Sequence, residues 1–255
     1  MKVIDSFLYN GEKDMLLIRL LNYNEYVDYF IIIEGDKTFT NNKKDRLFID
    51  EIKIDPRFKK YLSKIDFVIC RIQSNNPWEN EKVSRKSIVN SNIFKSSFDD
   101  TIILHSDCDE ILRPKTLIKI RNMILVNKIF LLKNIMFCLK WEYPNKVYSC
   151  ISLLKKTIVM DNDLQKIRLE FRNNINNYYH EEIGWHFSFI LPIKDITRKI
   201  SSFSHQEMNR KKFNNQDYIQ NEIINKGNVI DFFTVSWNKG CVPNLKLCNL
   251  DDLPK

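Results

Sequence analysis

Short apolar runs alternate with helix-period segments over the first hundred residues of the chain. Val3 to Tyr9 predicts a strand, and Glu12 to Leu21 a helix, with Met15, Ile18 and Leu21 recurring at helical spacing. Tyr29 to Ile33 is an almost continuous apolar run ending in Glu34, the pattern of a strand buried on both faces. Asp66 to Cys70 repeats that pattern, and a long helix is predicted from about Glu79 to Phe94. Thr101 to Leu104 is the fourth apolar run and leads into His105-Ser106-Asp107-Cys108-Asp109-Glu110. Strand and helix in alternation predict an α/β fold built on a parallel sheet with helices on both faces.

Beyond Pro114 the pattern changes. Lys115 to Val126 predicts a helix, and Ile129 to Leu139, Val147 to Leu154 and Ile183 to Leu191 predict strands of a mixed region. Two Asn-rich stretches, Arg172 to Asn177 and Asn209 to Asn215, predict loops. No internal repeat or low-complexity linker interrupts the chain. Residues 1–255 therefore form one domain, with a seam dividing it into halves 1–113 and 114–255.

Composition adds exclusions more than identities. Hydrophobic residues make up 44% and aromatics 12% of 255 residues, which rules out disordered and fibrous classes. The 28 Asn and 29 Lys point to an A- and T-rich genome. A net charge of +8 brings anionic partners into view: nucleic acid, membrane phosphate, nucleotides. The lysines are scattered, however, and a solvated basic surface is the plainer reading. Six cysteines without a Cys-x-x-Cys pair suggest neither a zinc ribbon nor a redox motif. The N-terminus has no signal-peptide pattern, and Met123 to Leu139 is broken by Asn127, Lys128, Lys133 and Asn134. The expectation is a cytoplasmic protein without a transmembrane segment.

The most informative residues follow the fourth apolar run. If the segment stays extended, Asp107 and Asp109 converge while Cys108 turns inward. Ligands of open parallel sheets bind beyond the carboxyl ends of the strands. Two carboxylates there make a hard oxygen site suited to Mn²⁺ or Mg²⁺, completed by a diphosphate. An acidic helix N-terminus would use the same residue types.

Several segments, taken in order, resemble glycosyltransferase family 17. They are Asp5 to Leu20 (DSFLYNGEKDMLLIRL), Val27 to Phe39 (VDYFIIIEGDKTF), Trp78 to Glu81 (WENE) with Arg85, and Ser106 to Pro114 (SDCDEILRP). Gly184 to Phe189 (GWHFSF) and Lys199 to His205 (KISSFSH) complete the set. The chain departs from the family pattern at Asn10 to Asp14 and at Leu112, neither change removing a carboxylate. The resemblance implies an A-type glycosyltransferase fold, a Rossmann-like, mostly parallel sheet with a mixed C-terminal half. It implies a nucleotide-sugar-binding half at 1–113, an acceptor half at 114–255, a divalent metal, and inverting transfer of N-acetylglucosamine from a UDP-sugar to a glycan or glycoprotein acceptor. Family members in animals carry a membrane anchor, and its absence here fits a bacterium or large DNA virus.

Roles follow residue by residue. Asp107 and Asp109 are the metal and diphosphate residues, with His186 of the Gly-Trp-His match as a third ligand. Arg85 reaches donor phosphate or sugar hydroxyls, or pairs with Glu81 four residues earlier. Glu12, Glu34, Thr38 and Lys199 are substrate-binding candidates, Phe39 lies near the base, and His205 near the diphosphate. Arg19 reads as structural. Inversion needs a general base on the acceptor hydroxyl; Glu110 and Glu182 are the foremost candidates, with Glu181 and Glu207 behind them. Two other readings compete: a metal-dependent phosphohydrolase, which wants a fuller acidic cluster, and a non-catalytic nucleic-acid-binding domain, which wants clustered basic and aromatic residues.

Overall fold

The computed structural model describes residues 1–122, 128–131, 134–137, 141–143, 150–172, 178–179, 184–225 and 246–247. In chain order the elements begin with strand β1 (Val3–Leu8), helix α1 (Lys13–Tyr23), β2 (Tyr29–Gly35), α2 (Phe48–Ile54), β3 (Ile65–Cys70), α3 (Pro77–Lys86) and α4 (Asn92–Ser96). They continue with β4 (Ile102–Asp107), β5 (Glu110–Leu112), α5 (Pro114–Asn122), β6 (Lys128–Leu131), β7 (Asn134–Phe137), β8 (Trp141–Tyr143) and β9 (Cys150–Lys155). Helices α6 (Lys156–Asp161) and α7 (Leu164–Arg172), strands β10 (Tyr178–Tyr179) and β11 (Gly184–Ser188), α8 (Ile193–Ser202) and β12 (Lys246–Leu247) complete the series.

A seven-stranded sheet runs in the order β10-β6-β9-β4-β1-β2-β3. The β4-β1-β2-β3 portion is parallel, as the apolar runs predict, and β9 enters antiparallel to both β4 and β6. A second, five-stranded mixed sheet is ordered β12-β8-β7-β11-β5. The Rossmann-like sheet and mixed C-terminal half are thus both present.

Side-chain alternation splits the core of the large sheet in two. Val3, Phe7, Phe30, Ile32, Ile102 and Leu104 pack toward α1 and α2, with Leu16, Leu20 and Ile49. Ile4, Ile31, Ile33 and Ile103 pack on the opposite face, with Ile88, Phe94 and Val159. A third cluster around Phe189, Ile196, Ile200 and Met208 seats α8. The same alternation sends Ser106 toward α1 and Asp107 toward α3.

Four expectations need correction. The long helix over Glu79 to Phe94 is broken: α3 ends at Lys86, a 3-10 turn covers Ser87–Asn90, and α4 starts afresh. Serines cause the break. Ser84 and Ser87 donate back to the carbonyls of Asn80 and Ser84, and Ser91 Oγ accepts from Phe94 N as a new cap. Ile129 to Leu139 is two strands, β6 and β7, in different sheets. β3 is an edge strand with Ile69 exposed, and is not buried on both faces. Finally, β4 ends at Asp107 and residues 108–109 form a tight turn, so the extended arrangement proposed for Asp107 to Asp109 does not hold.

Candidate active site

A cavity of about 570 Å³ opens at the carboxyl ends of β1, β2 and β4, where Leu8, Tyr9, Ile33, Gly35 and Asp107 line it. This is where an open parallel sheet leaves room for a ligand. Helices α3, α7 and α8 and the segment after α8 form the remaining walls. Glu12, Thr38, Arg85, Asp107, Asp109, Glu110, His186 and Lys199 all line it, as do Phe39 and His205.

Two ion clusters organise the floor. Arg85, at the C-terminal end of α3, donates from Nη2 to Asp107 Oδ1 (2.7 Å) and Glu81 Oε1 (2.7 Å), and from Nε to Gln165 Oε1 (2.8 Å). Arg168 of α7 donates to Asp107 Oδ2 (3.2 Å) and, through both terminal nitrogens, to Glu110 (2.8 and 2.9 Å). Burial works against the Asp107 carboxylate, but the two guanidiniums outweigh it and hold its pKa far below the usual range. In the second cluster Lys199 of α8 bonds Asp109 Oδ2 (2.8 Å) and Glu12 Oε1 (3.2 Å). His186 Nε2 lies 3.4 Å from Asp109 Oδ1. Burial opposes the Asp109 charge too, and Lys199 and His186 overcome it. The pKa of His186 is raised because Asp109 outweighs burial.

Backbone geometry delivers His186. β11 pairs with β5 so that His186 stands opposite Glu110, and Phe187 N donates to Asp109 O (2.8 Å). Gly184 permits that pairing: a Cβ there would lie 2.2 Å from Ile111 O.

Toward the other end of α3 the lining becomes aromatic. Trp78 meets His205 edge-on at 4.7 Å, and Phe203 stands 5.8 Å from the same imidazole. The Phe39 loop is tied to this wall by Phe39 N to Ser202 O (3.0 Å) and Asn80 Nδ2 to Phe39 O (2.8 Å). Seven residues separate Trp78 from Arg85, about 10 Å along a helix axis. Ser204 Oγ donates to Glu81, which joins the segment after α8 to α3 between the two ends.

Three site assignments change. Glu34 does not line the cavity: its carboxylate, 1% exposed, accepts from Lys44 Nζ and from the backbone N–H groups of Phe48 and Ile49, capping α2. Glu110, a general-base candidate, lies beside Asp107. Its carboxylate is taken up by Arg168 and by Asp107 N (2.9 Å), which leaves it ill-suited to accept an acceptor proton. Asp107 and Asp109 share the cavity but sit in separate cation clusters, because the chain turns between them. Glu181 and Glu182 lie outside the described residues, and Glu207 hydrogen-bonds His205 Nδ1 at 2.5 Å. Sequence reasoning missed Arg168 and Gln165 entirely. Leu164 and Ile167, buried at helical spacing, were the signal for α7.

The residues that could hold a divalent cation are Asp109 and His186. Among the described residues no three His, Cys, Asp or Glu groups are gathered to hold one unaided. Asp109 and His186 nevertheless offer a carboxylate oxygen and an imidazole nitrogen side by side, and Mg²⁺-type sites commonly take one or two protein ligands and complete their sphere with substrate phosphate. Arg85 Nη1 is buried and has no hydrogen-bond partner among the described residues.

Compared with known proteins, residues 1–238 match the family model described as Glycosyltransferase family 17. No curated protein sequence matches the chain. Among the described residues no helix is long and apolar enough to cross a membrane.

Proposed function

The chain belongs to glycosyltransferase family 17, and on that premise we propose that it moves N-acetylglucosamine from UDP-N-acetylglucosamine to a glycan acceptor, with metal assistance and inversion at the anomeric carbon. The observation that carries this reading is one cavity holding Asp107, Asp109, Arg85, Lys199 and His186 at one end of α3 and an aromatic wall at the other. That layout suits a nucleoside diphosphate, with the base against Trp78 and Phe39 and the phosphates near Arg85 and Lys199.

Asp109 and His186 would hold Mn²⁺ or Mg²⁺, which when bound neutralises charge developing on the departing diphosphate. Arg85 donates from Nη1 to a phosphate oxygen, while Nη2 stays on Asp107 and Glu81. Lys199, held charged by Asp109 and Glu12 against burial, adds a second cation. Glu12 and Thr38 meet sugar and ribose hydroxyls. The acceptor hydroxyl gives its proton to Glu182 as its oxygen bonds the anomeric carbon. The bond from that carbon to the diphosphate breaks on the opposite face, and UDP leaves.

Thermal unfolding with a panel of nucleotide sugars, each with Mn²⁺ or chelator, tests the proposal. UDP-N-acetylglucosamine at about 100 times its dissociation constant stabilises the chain by roughly 2.7 kcal/mol. The shift depends on Mn²⁺ and disappears in Asp109→Ala. If no nucleotide sugar moves the transition under either condition, the proposal fails.

A further inference from the structure

Among the described residues Arg19 is, with Arg85, one of the largest fully buried side chains, with 0% exposure, and it lies on α1 outside the cavity. Its partners explain why a cation stands there. Nε and Nη2 bond the two oxygens of Asp5 on β1 (2.8 and 2.6 Å). Nη2 also donates to Ser106 Oγ (2.6 Å). Nη1 donates to three backbone carbonyls: Asp107 (2.9 Å), Cys108 (3.3 Å) and Glu110 (2.7 Å). Phe7 and Tyr23 stand against the guanidinium, with ring centres 4.3 and 5.0 Å away.

Those three carbonyls belong to the turn that carries Asp107, Asp109 and Glu110. A tight turn aims successive side chains by its peptide orientations, and one planar donor reaching three of its carbonyls fixes those orientations together. We infer that Arg19 is a positioning residue: it sets the Asp107–Glu110 turn from beneath, so that Asp107 meets Arg85 on one side while Asp109 meets Lys199 and His186 on the other. Asp5 holds Arg19 charged and oriented. A lysine in its place has a single point charge, which satisfies Asp5 but cannot span the carbonyls. The inference rests on the reading of this turn as the metal and diphosphate site.

The test compares wild type, Arg19→Lys and Tyr23→Phe by calorimetric binding of UDP in Mn²⁺ and by thermal unfolding. Tyr23 lies one helical turn beyond Arg19, and its hydroxyl accepts from Leu112 N (2.6 Å) without touching the turn carbonyls. Arg19→Lys is expected to weaken UDP binding on the order of 10- to 100-fold, the range typical of residues that orient metal ligands. Tyr23→Phe lowers the unfolding temperature but leaves UDP affinity within about threefold of wild type, a difference worth less than one hydrogen bond. Binding retained in folded Arg19→Lys, or lost equally in Tyr23→Phe, overturns the inference and leaves the transferase reading standing. A wild-type chain that binds no UDP overturns both. If Arg19→Lys does not fold, Ser106→Ala replaces it: removing one Nη2 acceptor lowers the unfolding temperature and weakens UDP binding at least about threefold in the folded chain, and unchanged affinity in that folded variant overturns the inference.

Discussion

At the scale of single residues, two histidines on different sheets carry opposite pH signatures. His105 is buried in β4, where burial and the nearby Arg85 and Arg168 hold its pKa well below the ordinary 6.5. The folded chain keeps it neutral, whereas the unfolded chain takes up a proton below about pH 6.5. Its effect is therefore a loss of stability as pH falls below that value, up to about 1.4 kcal/mol per pH unit. His186 has the other sign: with a raised folded pKa, its contribution is present below pH 6.5 and fades as pH rises through that folded value. His105→Asn removes only the first effect. Urea denaturation at pH 7, 6 and 5 should show the variant losing less stability than wild type, and parallel losses would refute the assignment. Arg168 gives a sharper case. It pairs with Glu110, which is 1% exposed, so Arg168→Gln strands a buried carboxylate and should cost about 3–5 kcal/mol in urea denaturation.

At the scale of elements, the site depends on two contacts between segments distant in sequence. The approach of β11 to β5 requires Gly184, because any Cβ would meet the backbone of Ile111 and Leu112. Gly184→Ala pushes β11 away and carries His186 off Asp109. The expected result is a destabilisation of about 1–3 kcal/mol together with loss of Mn²⁺-dependent UDP binding. A folded variant with undiminished binding would show that the pairing does not place His186. The break between α3 and α4 is a second test of local physics. Ser91 caps α4 and also donates to Asp66 Oδ2 (2.7 Å); Ser91→Ala should cost about 1 kcal/mol by thermal unfolding. The predicted uninterrupted helix missed this because the apolar positions keep their spacing across a serine-rich junction, and serine's competition for the backbone is invisible to periodicity.

At the scale of the whole molecule, charge is distributed unevenly between interior and surface. The cavity wall holds five carboxylates and five Lys or Arg side chains, so the excess of +8 lies elsewhere. Buried pairs are screened far less than exposed charges. Raising the salt from 0.05 to 0.5 M should accordingly leave UDP affinity nearly unchanged, while any retention on heparin falls steeply. UDP binding that collapses with salt would place the ligand on the outer basic surface instead.

The sequence by itself determined the first half of the fold. Buried parallel strands must be apolar throughout, so β1, β2 and β4 announce themselves, and helical periodicity marks α1. Position at the carboxyl end of the fourth strand also singled out Asp107 and Asp109, which line the cavity, since a strand's carboxyl end is where such a sheet has room. Only the tertiary structure decided the rest. It split Ile129 to Leu139 between two sheets, because three- and four-residue strands of a mixed region are selected by their partners and not by their own pattern. It gave Glu34 to the α2 N-terminus and Glu110 to Arg168, because a buried carboxylate must find donors wherever the fold provides them. It also brought Arg19 beneath the turn and Arg168 above Asp107. Arg19 is separated from the turn carbonyls by 88 to 91 residues, and Arg168 from Glu110 and Asp107 by 58 and 61; contacts at that separation leave no local trace in the chain.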